Sequence, residues 1–222
     1  MSTDLLEKLV DKSLTKEQLL EKVKQDSKLI PEVVNSMNSS KAAIRYGCGK
    51  VLMNLSEEQP GKLYPYFDFF VEILDSKYRI LTWQAMAIIA NLTSVDKDKK
   101  FDLIFNKYYN FINDEYMVTV ANLVGNSGKI ARFKPNLIPM ITNQILKVDG
   151  LKTTPHLTNE CKRVIAESAI TTFDAFFDKI ENKERVFSFV KKQVNSSRKS
   201  LKTKAEKFLN KWEKKDNLVR AG

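Results

Sequence analysis

The sequence predicts an all-α chain: a right-handed α-solenoid of about five two-helix repeats behind an N-terminal helical cap. Three observations carry this. Turn formers are scarce, with 7 glycines and 6 prolines among 222 residues. Average usage of about 7% and 5% would supply roughly twice as many, so the tight turns of a sandwich or barrel are out of reach. Apolar residues recur at helical spacing almost throughout, and no stretch alternates as a half-buried strand does. Finally, one core register returns along the chain at a nearly constant interval.

Residues 1–28 form the expected cap. Within them Thr15-Lys16-Glu17-Gln18 is a capping box, because the Thr hydroxyl and the Gln amide can satisfy orphan amides reciprocally. Repeats follow at 29–62, 63–100, 101–136, 137–185 and 186–212, with a basic tail at 213–222. Ile30, Val33, Val34 and Met37 mark one apolar stripe; Leu63, Tyr66, Phe67, Phe70, Val71 and Leu74 mark the next. Phe101, Ile104, Phe105, Tyr108, Tyr109 and Ile112 mark a third. Pro31, Pro65 and Pro139 each sit third in a tripeptide of one form, Leu29-Ile30-Pro31, Leu63-Tyr64-Pro65 and Leu137-Ile138-Pro139. All three fall in first turns, where a missing N–H costs little.

The register is clearest with Asn54, Asn91, Asn126, Thr172 and Lys211 as successive zeros, spaced 37, 35, 46 and 39 residues apart. Offsets −8, −6, −3, −2 and +1 then hold Tyr46, Cys48, Val51, Leu52 and Leu55 in the first helix. In the second they hold Trp83, Ala85, Ile88, Ile89 and Leu92, and in the third Val118, Val120, Leu123, Val124 and Ser127. Val164, Ala166, Ala169, Ile170 and Phe173 follow, then Thr203, Ala205, Phe208, Leu209 and Trp212. Small residues at −6 allow a neighbouring helix to approach closely. The wider third interval is filled by the polar stretch from Asp149 to His156, which reads as an inter-helix loop.

The segments Val51-Leu52-Met53-Asn54-Leu55-Ser56 and Ile88-Ile89-Ala90-Asn91-Leu92-Thr93 resemble the end of the last helix in armadillo and HEAT repeats. The likeness spans about residues 29–212. In armadillo repeats that helix lines the concave face, and its Asn holds the backbone of an extended peptide. The resemblance implies this role for Asn54, Asn91 and Asn126. The family's Trp at −4 is replaced by Lys50, Ala87 and Asn122, which favours a shorter, HEAT-like two-helix repeat.

Chemistry is sparse. His156 is the one histidine, so any Ser-His-Asp or Cys-His arrangement must use it, and neither cysteine has a nucleophile's context. Cys48 falls on a core position; Cys161 opens a helix beside Lys162 and Arg163. Two cysteines 113 positions apart and a single histidine do not cluster as zinc ligands. Gly47-Cys48-Gly49 lies inside a helical pattern and follows no strand, so it is no phosphate loop. The expectation is a non-enzyme with no catalytic residues, no cofactor and no metal. The longest apolar run, Ala85 to Ala90, falls far short of the roughly 20 residues of a membrane span. With no secretory h-region and few cysteines, a cytoplasmic location is expected.

Positions −7, −4 and 0 lie one turn apart and share a face. Along the chain this row reads Gly47-Lys50-Asn54, Gln84-Ala87-Asn91, Thr119-Asn122-Asn126, Ile165-Ser168-Thr172 and Lys204-Lys207-Lys211. The candidate partner-binding residues are therefore Lys50, Asn54, Gln84, Asn91, Asn122, Asn126, Lys204, Lys207 and Lys211. Charge is concentrated at one end: residues from Lys183 onward hold 13 Lys+Arg against 4 Asp+Glu, whereas residues 1–182 hold 24 against 23. Two readings stand. One is a non-enzymatic scaffold binding a protein or peptide, an acidic one included, on its concave face. The other is nucleic-acid binding through the basic C-terminal end, similar to the HEAT-like alkylpurine DNA glycosylases. A charge confined to one end counts against a duplex-cradling groove, which should be basic throughout.

Overall fold

The structure, a computed structural model, describes the backbone of residues 2–221 and the side chains of residues 5–214. Its described residues are helical or in short connections, with a single isolated β-bridge between Thr154 and Leu157. The chain divides into two compact units, Met1–Tyr108 and Tyr109–Gly222.

In the first unit α1 (Ser2–Glu7) and α2 (Lys16–Gln25) form the cap, followed by α3 (Ile30–Asn35), α4 (Ala42–Glu58), α5 (Pro60–Leu63), α6 (Phe67–Ile73), α7 (Arg79–Leu92) and α8 (Lys100–Tyr109). The capping box closes as the sequence predicts: the Gln18 amide N–H donates to Thr15 Oγ1 at 3.2 Å, and the Thr15 N–H donates to Gln18 Oε1 at 2.9 Å. Pro31 and Pro60 stand in the first turns of α3 and α5, while Pro65 lies in the 3-10 turn Tyr64–Tyr66 that leads into α6. The long helices α4 and α7 pack directly on each other. Asp96 caps α8, accepting from the Lys100 and Phe101 amides at 2.8 and 3.0 Å and from the Tyr64 hydroxyl at 2.6 Å. Burial and that carboxylate push the Tyr64 phenol pKa up.

The second unit holds α9 (Met117–Phe133), α10 (Ile138–Leu146), α11 (Asn159–Asp174), α12 (Lys183–Gln193) and α13 (Lys199–Ala221). Here α11 packs against both α9 and α13. The expected tail at 213–222 begins inside α13; the side chains of residues 215–222 lie outside the described ones. The sequence departure at −4 favours two helices per repeat, yet a single 3-10 turn is interposed after several long helices, at Thr93–Val95, Pro135–Leu137 and Phe177–Lys179.

The repeated register is visible as burial. At −6, Cys48, Ala85, Val120, Ala166 and Ala205 are all buried, as are the five residues at −3 and the five at +1. The −8 position is different. Val118 is 43% exposed, Thr203 is exposed, and Tyr46, Trp83 and Val164 are half-buried. The reason is angular. At about 100° per residue, −6, −3, −2 and +1 cluster within about 100°, whereas −8 points roughly 170° from their centre. It belongs to the open face.

The 149–158 stretch is a built connection. The Thr154 N–H donates to the Leu157 carbonyl at 3.1 Å and the Leu157 N–H returns to Thr154 at 3.2 Å. Leu157 is buried, and Thr154 Oγ1 donates to the Glu115 carbonyl at 3.0 Å. His156 stacks on Tyr116 with ring centroids 4.3 Å apart.

Candidate functional site

The same angular argument sorts the expected polar row. Positions −7 and 0 fall at the margin of the core stripe, so they face the neighbouring long helix; −4 points further outward. Thr119 and Ile165, both at −7, are accordingly buried, while Lys50, Ala87, Asn122, Ser168 and Lys207, all at −4, are half-buried or exposed.

Several row residues are spent inside the protein. Asn91 is only 7% exposed, and its Nδ2 donates to Ser56 Oγ at 2.9 Å, tying α7 to α4. That amide nitrogen is spent within the first unit. Gln84 lies over Gly49 and its Nε2 donates to the Tyr46 carbonyl at 3.2 Å. A Cβ on Gly49 would stand 2.0 Å from Gln84 Oε1, so glycine is what lets this amide cross. In the second unit Thr172 does likewise, donating to the Val124 carbonyl at 2.9 Å.

Lys204 and Lys211 are also engaged. Lys204 Nζ donates to Thr171 Oγ1 at 2.7 Å and lies 3.9 Å from Glu167; Lys211 Nζ pairs with Asp174 at 2.7 Å, as does the Trp212 indole N–H at 2.6 Å. Arg198 joins the group, reaching Glu160 and Glu167, and Ser200 donates to Glu167. The three acids sit seven residues apart on α11. Acids of α11, distant in sequence, thus neutralise part of the charge concentrated on the last helix. Burial raises the Glu167 carboxyl pKa, but the Ser200 hydroxyl and the Arg198 and Lys204 cations outweigh it and hold it below the usual value. Bonds from Arg198 and Arg163 hold Glu160 low as well.

Asn54, Asn126 and Lys207 remain. Asn54 and Asn126 are half-buried, Lys207 is exposed, and none has a side-chain partner among the described residues. Asn122 donates to its own helix at Val118, leaving its amide oxygen open. Beside Asn126 lies a feature that the sequence reading missed: a cleft of about 740 Å³ between α9 and α11. Gly125, Gly128, Lys129 and Arg132 line one wall, Ser168 and Thr171 the other, and Asp178 and Lys179 close one end. Two glycines within one helical stripe were the available signal.

The two thiols differ: Cys161 is half-buried, its Sγ accepting from Thr158 Oγ1 at 3.2 Å. Cys48 is buried, which pushes its pKa up to about 12, and no group of metal-ligating side chains occurs among the described residues.

No family model matches the sequence, and no curated protein matches it. Solved structures do. A designed armadillo repeat protein aligns at 19% identity over 92% of this chain and 90% of its own, with a TM-score of 0.59. A second, solved in complex with the peptide (KR)4, aligns at 18% over 94% and 91%, with a TM-score of 0.63. The fold is an armadillo-type helical repeat. An engineered protein aligns too, at 13% identity over 94% and 87%, with a TM-score of 0.54. At these identities the likeness is one of fold, and the armadillo-type register accounts for the matched burial at −6, −3 and +1.

Proposed function

We propose that this protein is a non-enzymatic helical-repeat scaffold that binds a protein or peptide partner on the open faces of its long helices. The observation that carries the reading is the half-exposed pair Asn54 and Asn126, each able to donate and accept, neither used internally. The peptide-bound armadillo neighbour supports it by analogy of fold. So does the burial of Cys48, whose pKa is raised, which makes it a poor nucleophile. The contact set is Lys50, Asn54, Asn122, Asn126 and Lys207; Gln84, Asn91, Lys204 and Lys211 hold the repeats together instead. The nucleic-acid reading has less support, since much of the basic end is paired with acids of the same chain.

Binding isotherms with labelled acidic, basic and neutral peptides on the full chain test this. One class should bind, and Asn54→Ala with Asn126→Ala should weaken it by about tenfold, the range of one or two lost hydrogen bonds. If no peptide of any class binds, the scaffold reading fails.

A further inference from the structure

We propose that the cleft between α9 and α11 is an anchor site for an acidic segment of a partner protein, with carboxylates drawn to Arg132 and Lys179; this rests on the scaffold reading above. The first argument is why the cleft exists. Gly125 and Gly128 stand inside a 17-residue helix, where glycine destabilises relative to Ala. Neither is needed for packing. A Cβ on Gly125 would meet only Ser168 Oγ, at 4.0 Å, and one on Gly128 would find ordinary contacts at 3.7 and 3.9 Å. Gly49 is the contrast, because there a Cβ would collide with Gln84. The glycines of α9 cost helix stability and leave open space, and the space is the cleft.

Charge decides the occupant. Three cations and one carboxylate, Asp178, line the cleft. Arg132 and Lys179 form no ion pair among the described residues, and the half-exposed Ser168 hydroxyl has no partner there. The cleft volume lies in the range of about 300–1,000 Å³ typical of ligand sites. That is room for a few side chains of an extended peptide. Nucleic acid draws its affinity from many phosphate contacts along a track, whereas the lysines of α13 nearest this face, Lys204 and Lys211, are bound to Thr171 and Asp174. The cationic (KR)4 peptide of the designed neighbour is the wrong sign for this rim.

The test uses the full chain and fluorescence anisotropy at low salt, with an octapeptide of alternating Asp and Glu, with (KR)4, and with mixed-sequence single-stranded DNA. Two variants are compared with the parent. Arg132→Glu/Lys179→Glu reverses the rim, and Gly125→Leu fills the cleft from an exposed helix position where no packing opposes it. Thermal unfolding confirms that both are folded. The expected result is binding of the acidic peptide alone, weakened about tenfold or more by either variant. Acidic-peptide binding indifferent to both variants overturns the cleft site while leaving the scaffold reading standing. Binding of (KR)4 in place of the acidic peptide overturns the assigned chemistry. DNA binding lost in the charge-reversal variant makes the cleft a nucleic-acid site and overturns the proposal. No binding of either peptide overturns the cleft site, and the scaffold reading is then decided by the neutral peptide of the isotherms above.

Discussion

Asn91 and Asn126 occupy the same position of the repeat and end in different surroundings. The first is buried against Ser56, which itself donates to the Met53 carbonyl; the second is half-exposed and unbonded. Position 0 lies on the margin of the core stripe, so whether it is covered depends on the neighbouring helix rather than on its own. Ser56 offers Asn91 an oxygen at 2.9 Å, and no described residue does the same for Asn126. Replacing Asn91 by Ala should lower stability by about 1–2 kcal/mol, the cost of a buried hydrogen bond. For a chain of this size that is about 2–8 °C in Tm. Asn126→Ala should stay within about 0.5 kcal/mol, as surface changes do. Thermal unfolding followed by circular dichroism reads both, and equal shifts would mean that burial does not distinguish the two asparagines.

Between elements, the recurring device is a ladder of polar side chains seven residues apart, two helical turns, that reaches to another helix of the same unit. Lys100 and Lys107 on α8 pair with Asp68 on α6 and Asp75 just beyond it; Lys204 and Lys211 on α13 reach Thr171 and Asp174 on α11. Under the last pair lies an aromatic cluster, with Phe177 centred 4.9 Å from both Phe208 and Trp212. The apolar cluster fixes where α13 sits, and the acids fix its polar edge. Because the Glu160 and Glu167 pKa values are held below the ordinary 4.5, their contribution is present above that pH and is lost as pH falls through the lower, folded values. In a Trp83→Phe background, Trp212 emission should stay level from neutral pH to about 5 and red-shift below 4.5. Glu160→Gln with Glu167→Gln should flatten that acid limb, and an unchanged limb would assign it to other groups. Periodicity made the stripe of each long helix legible, from Cys48 to Trp212, because core residues repeat within one element. The ladders were not legible. Their partners lie 31 to 38 residues apart, and nothing local marks Asp174 as the acid that Lys211 and Trp212 share. The cleft was hidden for the converse reason: it is made by missing side chains, at Gly125 and Gly128.

At the scale of the whole molecule, a formal net charge of +10 invites nucleic acid as a partner, and the placement of that charge argues the other way. Of the basic side chains beyond Lys183, Lys191 pairs with Glu213, Lys192 with Asp149, Arg198 with Glu160 and Glu167, and Lys211 with Asp174. Formal charge counts these as available, yet each would have to leave an acid before it could neutralise a phosphate. Exposed pairs are individually weak and screened by salt, so the competition is real only where several are held together, as along α11 and α13. Among the described residues, Lys199, Lys207 and Lys214 are the exposed lysines of α13 without an internal carboxylate. Affinity for mixed-sequence DNA should therefore fall with salt at a log–log slope of about −3, the mark of roughly three released counterions. A slope of about −6, with the affinity loss of roughly a thousandfold between 50 and 200 mM that accompanies it, would mean that the α11 acids yield their cations to phosphate. The basic end would then be a nucleic-acid surface and the ladder a latch that opens on binding. A shallow slope keeps the two functions of charge apart: on α13 it stitches helices, and around the α9–α11 cleft it faces outward.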